Sequence, residues 1–286
     1  MQLGISTACF FPMLTEEALE AVTALGCKTA EVFLNSPSEA SEPFARQLRR
    51  IADHAGARIV SVHPYSSEYE GVSFFGRYER RFDDAAEEYK RFFALCQIVG
   101  ASLVGFHGAR SFLPIEPAVY FERFWRLSGI AREFGVRLCH ENVVRFRCGE
   151  PDFVRALLHE LPEADLLLDI KQAVRAGQDP FDMLDAMGAN IRHLHLSDHD
   201  AAHDCLPPGE GCFDFVRLFD RLRELGVEGS AVIELYRRNF GQPEELERSR
   251  QYLETIGAQS AMNRSHNSTD GGEDFRRGGS AAAAAD

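Results

Sequence analysis

Short apolar runs alternate with longer amphipathic stretches eight times between residues 3 and 256, and this alternation leaves few folds open. The short runs are Leu3–Thr7, Thr29–Leu34, Arg58–His63, Ser102–His107, Val136–Glu141, Asp165–Asp169, Ile191–Leu196 and Ser230–Leu235. Each has the length and apolar content of a buried strand. The longer stretches start at Thr15 and then cover Glu42–Ala55, Tyr78–Val99, Glu116–Phe134, Pro151–His159, Pro180–Met187, Phe213–Leu225 and Pro243–Ile256. In the first, Leu14, Ala18, Val22 and Leu25 recur at helical spacing, and Gly26 closes it. Regular alternation of strand and helix makes a parallel sheet, because a parallel neighbour is reached only by a crossover. Eight units of this length predict an α/β fold, a (β/α)8 TIM barrel, as a single domain over residues 1–257. A doubly wound open sheet needs a glycine-rich turn after its first strand, and Ser6-Thr7-Ala8-Cys9 stands there. Residues 65–76 read as a long polar loop whose Tyr65 and Phe74 line a pocket. From Ala258 to Asp286 the chain is low in bulky apolar residues and reads as a disordered tail.

Charge narrows the partners. Lys and Arg total 31 and Asp and Glu total 44, a formal net charge of −13 over 286 residues. Nucleic-acid binding depends on cations that neutralise phosphates, so nucleic acid is not expected as a partner. No apolar run reaches the roughly 18 residues of a membrane span. The opening segment MQLGISTACFFPM lacks a basic flank, so a secretory leader is not expected. The seven cysteines are odd in number and none is spaced as CxxC, which fits free thiols and a cytoplasmic location. A homo-oligomer is left open.

The position of the ionisable residues is the informative fact. Reactive side chains of a (β/α)8 barrel sit at the carboxyl ends of its strands. Here the third to eighth runs end at or beside His63, His107, Glu141, Asp169, His195 and Glu234. Any one of these has a plain reading; Asp169, for instance, also reads as a helix cap. Together they converge several carboxylates, which would repel one another without a cation. A divalent metal resolves that conflict, and the donor mixture suits Mn, Co, Mg or Zn. His140 should point away from the mouth if Glu141 points into it. His193 shares a face with His195 one step deeper and reads as a buried partner of it. His199, in the loop after the seventh strand, reads either as a substrate or metal contact or as a solvated residue. Arg110, Arg145, Arg147 and Lys171 follow strand ends and could meet an anionic group.

Taken in order, the segments SVHPY, GFHGA, CHENV, LLLDIKQAVRAG, HLHLSDH, CLPPGEG and AVIELY resemble the xylose isomerase-like barrel superfamily. These are the sugar phosphate isomerase/epimerase proteins, with endonuclease IV as a relative. The resemblance implies that Glu141, Asp169, His195 and Glu234 hold the metal and that Glu141 and Glu234 act as acid and base. It also matches His63 and His107 to histidines that endonuclease IV uses for a further zinc. The third zinc of that enzyme needs a histidine where Gln172 stands, and an Asp-x-His where the chain reads His203-Asp204-Cys205.

The expectation is therefore a divalent-metal-dependent isomerase or epimerase of a small carbohydrate or polyol, working by proton transfer through an enediolate. A dehydratase acting on a sugar acid or inosose is the alternative, and an abasic-site phosphodiesterase a more distant one.

Overall fold

Eight parallel strands close on themselves in chain order, β1 Gln2–Ser6, β2 Thr29–Phe33, β3 Arg58–His63, β4 Leu103–Phe106, β5 Arg137–Glu141, β6 Asp165–Asp169, β7 Ile191–Leu196 and β8 Ser230–Ile233. The ring is sealed by β1 against β8, from Gln2 opposite Ser230 to Ile5 opposite Ile233. This computed structural model describes residues 1–267, the side chains of 261–267 excepted. Around the barrel lie α1 Thr15–Ala24, α2 Glu42–Ala55, α3 Ser67–Phe74, α4 Glu79–Val99, α5 Pro117–Glu133, α6 Pro151–Glu160, α7 Ile170–Arg175, α8 Pro180–Met187, α9 Phe215–Glu224 and α10 Pro243–Asn267. The chain is thus a (β/α)8 barrel, as its alternation predicts.

The two-residue period of a strand sorts side chains between two interiors. Ile5, Val32, Val62, Val104, Leu138, Leu166, Leu194 and Ile233 face outward and pack with helix residues such as Leu19, Leu48, Phe93 and Leu218. Burying each such side chain contributes about 1.5–3 kcal/mol. Inside the barrel, Leu103, Cys139 and Leu167 form a small apolar plug of their own. Going toward the carboxyl ends, the same inward rows continue as Ser61–His63, Cys139–Glu141, Leu167–Asp169 and His193–His195. The parity that makes one row apolar core makes the other a polar mouth.

Glycine is needed in one inward row. A Cβ on Gly105 would lie 2.6 Å from the ring of His63. Only a residue without a side chain lets that imidazole lie across β4.

Four local features differ from the sequence expectation. β4 stops at Phe106, because the amide of His107 donates to the Glu70 carboxylate at 2.9 Å rather than to a strand. The supposed loop over 65–76 contains α3, and Phe74 is buried against Tyr89 and Phe106 instead of lining a pocket. The short helix α7 follows β6 without a loop. The last helix does not end near Ile256 but runs to Asn267, through the first part of the stretch read as a disordered tail. Low apolar content there marks a helix with little to bury, and Ala, Gln and Met are good helix formers. Ser260 anchors it by donating to Asp220. Residues 268–286 of that tail lie outside the described residues.

Candidate active site

A cavity of about 630 Å³ opens at the carboxyl ends of the strands, and His63, His107, Glu141 and Glu234 line it. Buried behind Glu141 and Glu234, the imidazole of His195 sits among three carboxylates. Its Nδ1 lies 3.5 Å from Glu141 Oε1, 3.6 Å from Asp169 Oδ2 and 3.4 Å from Glu234 Oε2. The four residues come from β5, β6, β7 and the residue after β8, so neighbouring strands place them side by side. His195 Nδ1 and Asp169 Oδ2 are both buried without a hydrogen-bond partner. Buried polar atoms are rarely left so, and a pair facing one point suits a shared ligand.

Each member is oriented from behind. Asp169 caps α7, its Oδ1 accepting from the Gln172 amide at 2.9 Å, which leaves Oδ2 aimed at the mouth. The cap reading of this residue holds, and it leaves the second carboxylate oxygen beside His195 and Lys171. Asn142 clamps the same turn, accepting from the Asp169 amide at 2.7 Å and donating to the Asp169 carbonyl at 2.8 Å. His195 is fixed from below by Glu31, whose Oε2 lies 3.2 Å from Nε2. Glu31 also accepts from Ser6 and Ser61 and lies 3.1 Å from His193 Nε2. His193 is the deeper partner expected of it, while His140 points outward, with Nε2 2.7 Å from the Tyr120 hydroxyl. Burial there lowers the His140 pKa to about 4, so it is neutral.

A second group adjoins the first through Glu141. His63 Nε2 lies 3.2 Å and His107 Nε2 3.4 Å from Glu141 Oε2. The far side of His107 is held by Glu70, a buried carboxylate that accepts from the amides of His107 and Gly108 and from the hydroxyls of Ser66 and Tyr89. Glu70 Oε1 is 3.3 Å from His107 Nδ1, which leaves Nε2 to face Glu141.

The electrostatics reflect this crowding. Burial raises the Asp169 carboxyl above its ordinary range, and Glu234 and Glu141 add to that against the pull of Lys171 and His195. Burial acts the same way on Glu141, but His195 and His63 outweigh it and hold that carboxyl well below the ordinary value. Burial disfavours a charged His195, yet the surrounding carboxylates, Glu31 first, raise its pKa well above the usual range. A proton on Nδ1 and a cation would compete for the same seat. Lys171 is the counter-charge that strand-end reasoning did not foresee here. Buried at the start of α7, it contacts Glu234 and lies 3.3 Å from Asp169 Oδ2. Lys171, even with positive charge favoured on His195 and His107, is outnumbered by the carboxylates of Glu31, Glu70, Glu141, Asp169 and Glu234.

Three groups among the described residues place donors close enough to share an ion: Glu141 with Asp169 and His195, His63 with His107 and Glu141, and Glu31 with His193 and His195. All three are buried and mix imidazole with carboxylate, a donor set suited to a divalent metal.

Not every candidate joins the site. His199 is absent from the cavity lining and its ring faces Phe213 at 6.0 Å. The neighbouring Asp198 is structural, its carboxylate accepting from the amides of His199, Gly209 and Phe213. Tyr65 bonds Glu88 outside the cavity. Arg147 donates to the Leu113 carbonyl. Gln172 accepts from the Val144 amide and His203 pairs with Asp200 on the surface, so neither completes a further metal group. Phe11, Phe33, Phe146 and Tyr236 supply the aromatic lining instead. Glu31 escaped the strand-end reasoning because it lies in the middle of β2, between Ala30 and Val32.

Relatives share this architecture. The chain is 28% identical to an uncharacterized protein, MJ1311, of Methanocaldococcus jannaschii, over 91% of this chain and 92% of that one. It is 22% identical to a fructoselysine 3-epimerase of Shigella flexneri, over 85% of this chain and 93% of the relative. A shorter match, 29% identical, covers 38% of this chain and 42% of an inosose dehydratase of Geobacillus kaustophilus. Among solved structures, a D-tagatose 3-epimerase-like protein superposes with a TM-score of 0.73 at 18% identity, over 92% of this chain and 99% of that one. A xylose isomerase-like barrel protein from Mycobacterium smegmatis in complex with magnesium superposes with a TM-score of 0.66 at 21% identity, over 86% and 88%. The family profile itself matches residues 19–256. The chain belongs to the xylose isomerase-like TIM barrel family.

Proposed function

We propose that the protein is a divalent-metal-dependent epimerase or isomerase of a small carbohydrate or polyol. The observation that carries this reading is the convergence of Glu141, Asp169 and Glu234 on His195 Nδ1, with two buried polar atoms there lacking a hydrogen-bond partner. Glu141, Asp169, His195 and Glu234 would hold the ion, and His63 and His107 would bind sugar hydroxyls or a second ion. A divalent cation supplies positive charge against the oxyanion that develops when a carbon beside a carbonyl loses its proton. Glu141 and Glu234 stand at the two ends of the arc from β5 to β8, so a sugar between them meets a carboxylate from either side. One would remove the proton to give an enediolate and later release it to solvent, while the other would take a proton from solvent and deliver it to carbon, on the opposite face for epimerisation. Lys171 holds Glu234 ionised: burial opposes its charge, but the ammonium and His195 bring its pKa well below the ordinary value. Glu141, Asp169 and His195 are themselves buried, which strengthens the charge interactions among them.

The test is proton exchange on a panel of ketoses in deuterated water. Protein supplied with Mn or Co exchanges the proton beside the carbonyl and forms the epimer or isomer, and chelator abolishes both. Exchange that persists in chelator contradicts the reading. The match to an inosose dehydratase favours one alternative, loss of a hydroxyl from the same enediolate. A new ultraviolet-absorbing double bond, with no epimer, would establish that outcome instead.

A further inference from the structure

We propose that the substrate carries an anionic group, phosphate or carboxylate, and that Arg145 receives it at the rim of the cavity. This rests on the proposed epimerase or isomerase reading and extends it to the class of substrate.

The cavity has two unlike walls. Ala8 and Phe11, from the segment after β1, and Phe33, at the end of β2, form an apolar one. Arg110, Arg145 and Arg175, from the segments after β4, β5 and β6, form a cationic one. In a closed eight-stranded ring, β1 and β2 stand across from β5 and β6, so the cations face the aromatic side across the mouth. With Lys171 these arginines give the lining four cationic side chains against the three carboxylates of Glu68, Glu141 and Glu234.

Two of these arginines are already satisfied. Arg110 pairs with Glu68 and lies 4.7 Å over the Phe146 ring. Arg175 lies 3.4 Å from Asp204 and donates to the Tyr236 hydroxyl. Lys171, deeper in, is held by Glu234 and Asp169. Arg145 has no side-chain hydrogen bond or ion pair among the described residues, although it lines the same cavity.

Its backbone is also unusual. With φ at 68°, Arg145 is the one non-glycine among the described residues in the left-handed region. The surroundings impose this: the Ser111 amide donates to the Arg145 carbonyl at 2.9 Å, and the Phe146 amide closes a turn on Val143 at 3.0 Å. An arginine standing where glycine or asparagine would be easier points to a use for its side chain. A guanidinium offers paired donors that match a carboxylate or a phosphate. A ligand seated with its carbonyl carbon between Glu141 and Glu234 would extend its far end past β5, where Arg145 stands four residues after Glu141.

The experiment uses the full chain loaded with magnesium and calorimetric titration with three probes: D-fructose, D-fructose 6-phosphate and D-fructuronate. Arg145→Ala and Arg145→Lys are titrated beside the parent, with magnesium stoichiometry and melting temperature as controls for an intact site. At least one anionic probe should bind about tenfold or more tightly than D-fructose. Arg145→Ala should reduce its affinity to that of the neutral sugar, Arg145→Lys should keep part of the preference, and D-fructose itself should be unaffected. The tighter of the two anions distinguishes a sugar phosphate from a sugar acid. Equal binding of all three probes, no binding of either anion, or a preference that survives Arg145→Ala overturns the proposal. If magnesium fails to bind at unit stoichiometry while the Arg145-dependent preference is seen, the fault lies with the catalytic reading and not with the anion subsite.

Discussion

Glu234→Gln slows solvent proton exchange by about 10²–10⁴-fold, the contribution of a positioned base, while metal content stays near that of the parent. The substitution keeps the shape of the side chain and its carbonyl oxygen, which can still accept from Lys171. It removes the one property that proton abstraction needs, a basic oxygen. Exchange followed by NMR in deuterated water, with metal content measured on the same preparation, separates the roles of base and ligand. Undiminished exchange would remove Glu234 from the mechanism. Loss of exchange together with loss of metal would make it a ligand before a base.

Glu31→Ala has the largest expected effect on the fold. Its carboxylate is buried in the barrel and shared by Ser6, Ser61, His193 and His195. Removing it leaves a cavity, two hydroxyls without their acceptor and a crowded imidazole without its lower partner. Breaking a buried pair from one side destabilises by about 3–5 kcal/mol, read as a lowered denaturant midpoint in urea. The pH dependence has a definite sign. Burial alone would raise the Glu31 pKa, but His195 and His193 hold it well below 4.5. Its contribution is complete above the unfolded value of about 4.5 and is lost as pH falls through the lower folded value. The gap in stability between parent and variant should therefore narrow in acid. A gap that is small at neutral pH, or that widens on acidification, contradicts the role given to this residue.

The barrel was legible in the sequence because its signal is periodic. Each strand is a short apolar run, and the residue at its end is chemically different from those before it. The inward direction of Glu141, Asp169 and His195 follows from the same parity, as does the outward turn of His140. What could not be read was the support beneath and beside the site. Glu31 lies mid-strand and Glu70 lies on a helix within an apparent loop, so neither falls at a strand end. Lys171 looked like a mouth cation for an anionic ligand and instead turns inward, because α7 begins directly at Asp169 and carries the ammonium back over the carboxylates. His199 failed for the converse reason. Asp198 draws the backbone of its loop onto itself, which leaves His199 beside Phe213 and away from the cavity. The helical continuation of α10 to Asn267 was hidden because composition measures how much a segment can bury, which is a different quantity from its helix propensity.

The central claim is most directly tested by crystals of the protein grown with Mn²⁺, with diffraction recorded at an energy where manganese scatters anomalously. The account predicts one strong peak at the barrel mouth, ligated by Glu141, Asp169, His195 Nδ1 and Glu234, with Lys171 withdrawn from Asp169. A map with no peak there, and with Lys171 still bridging Asp169 and Glu234, would mean that the ammonium alone satisfies these carboxylates and that the metal chemistry proposed for them is wrong.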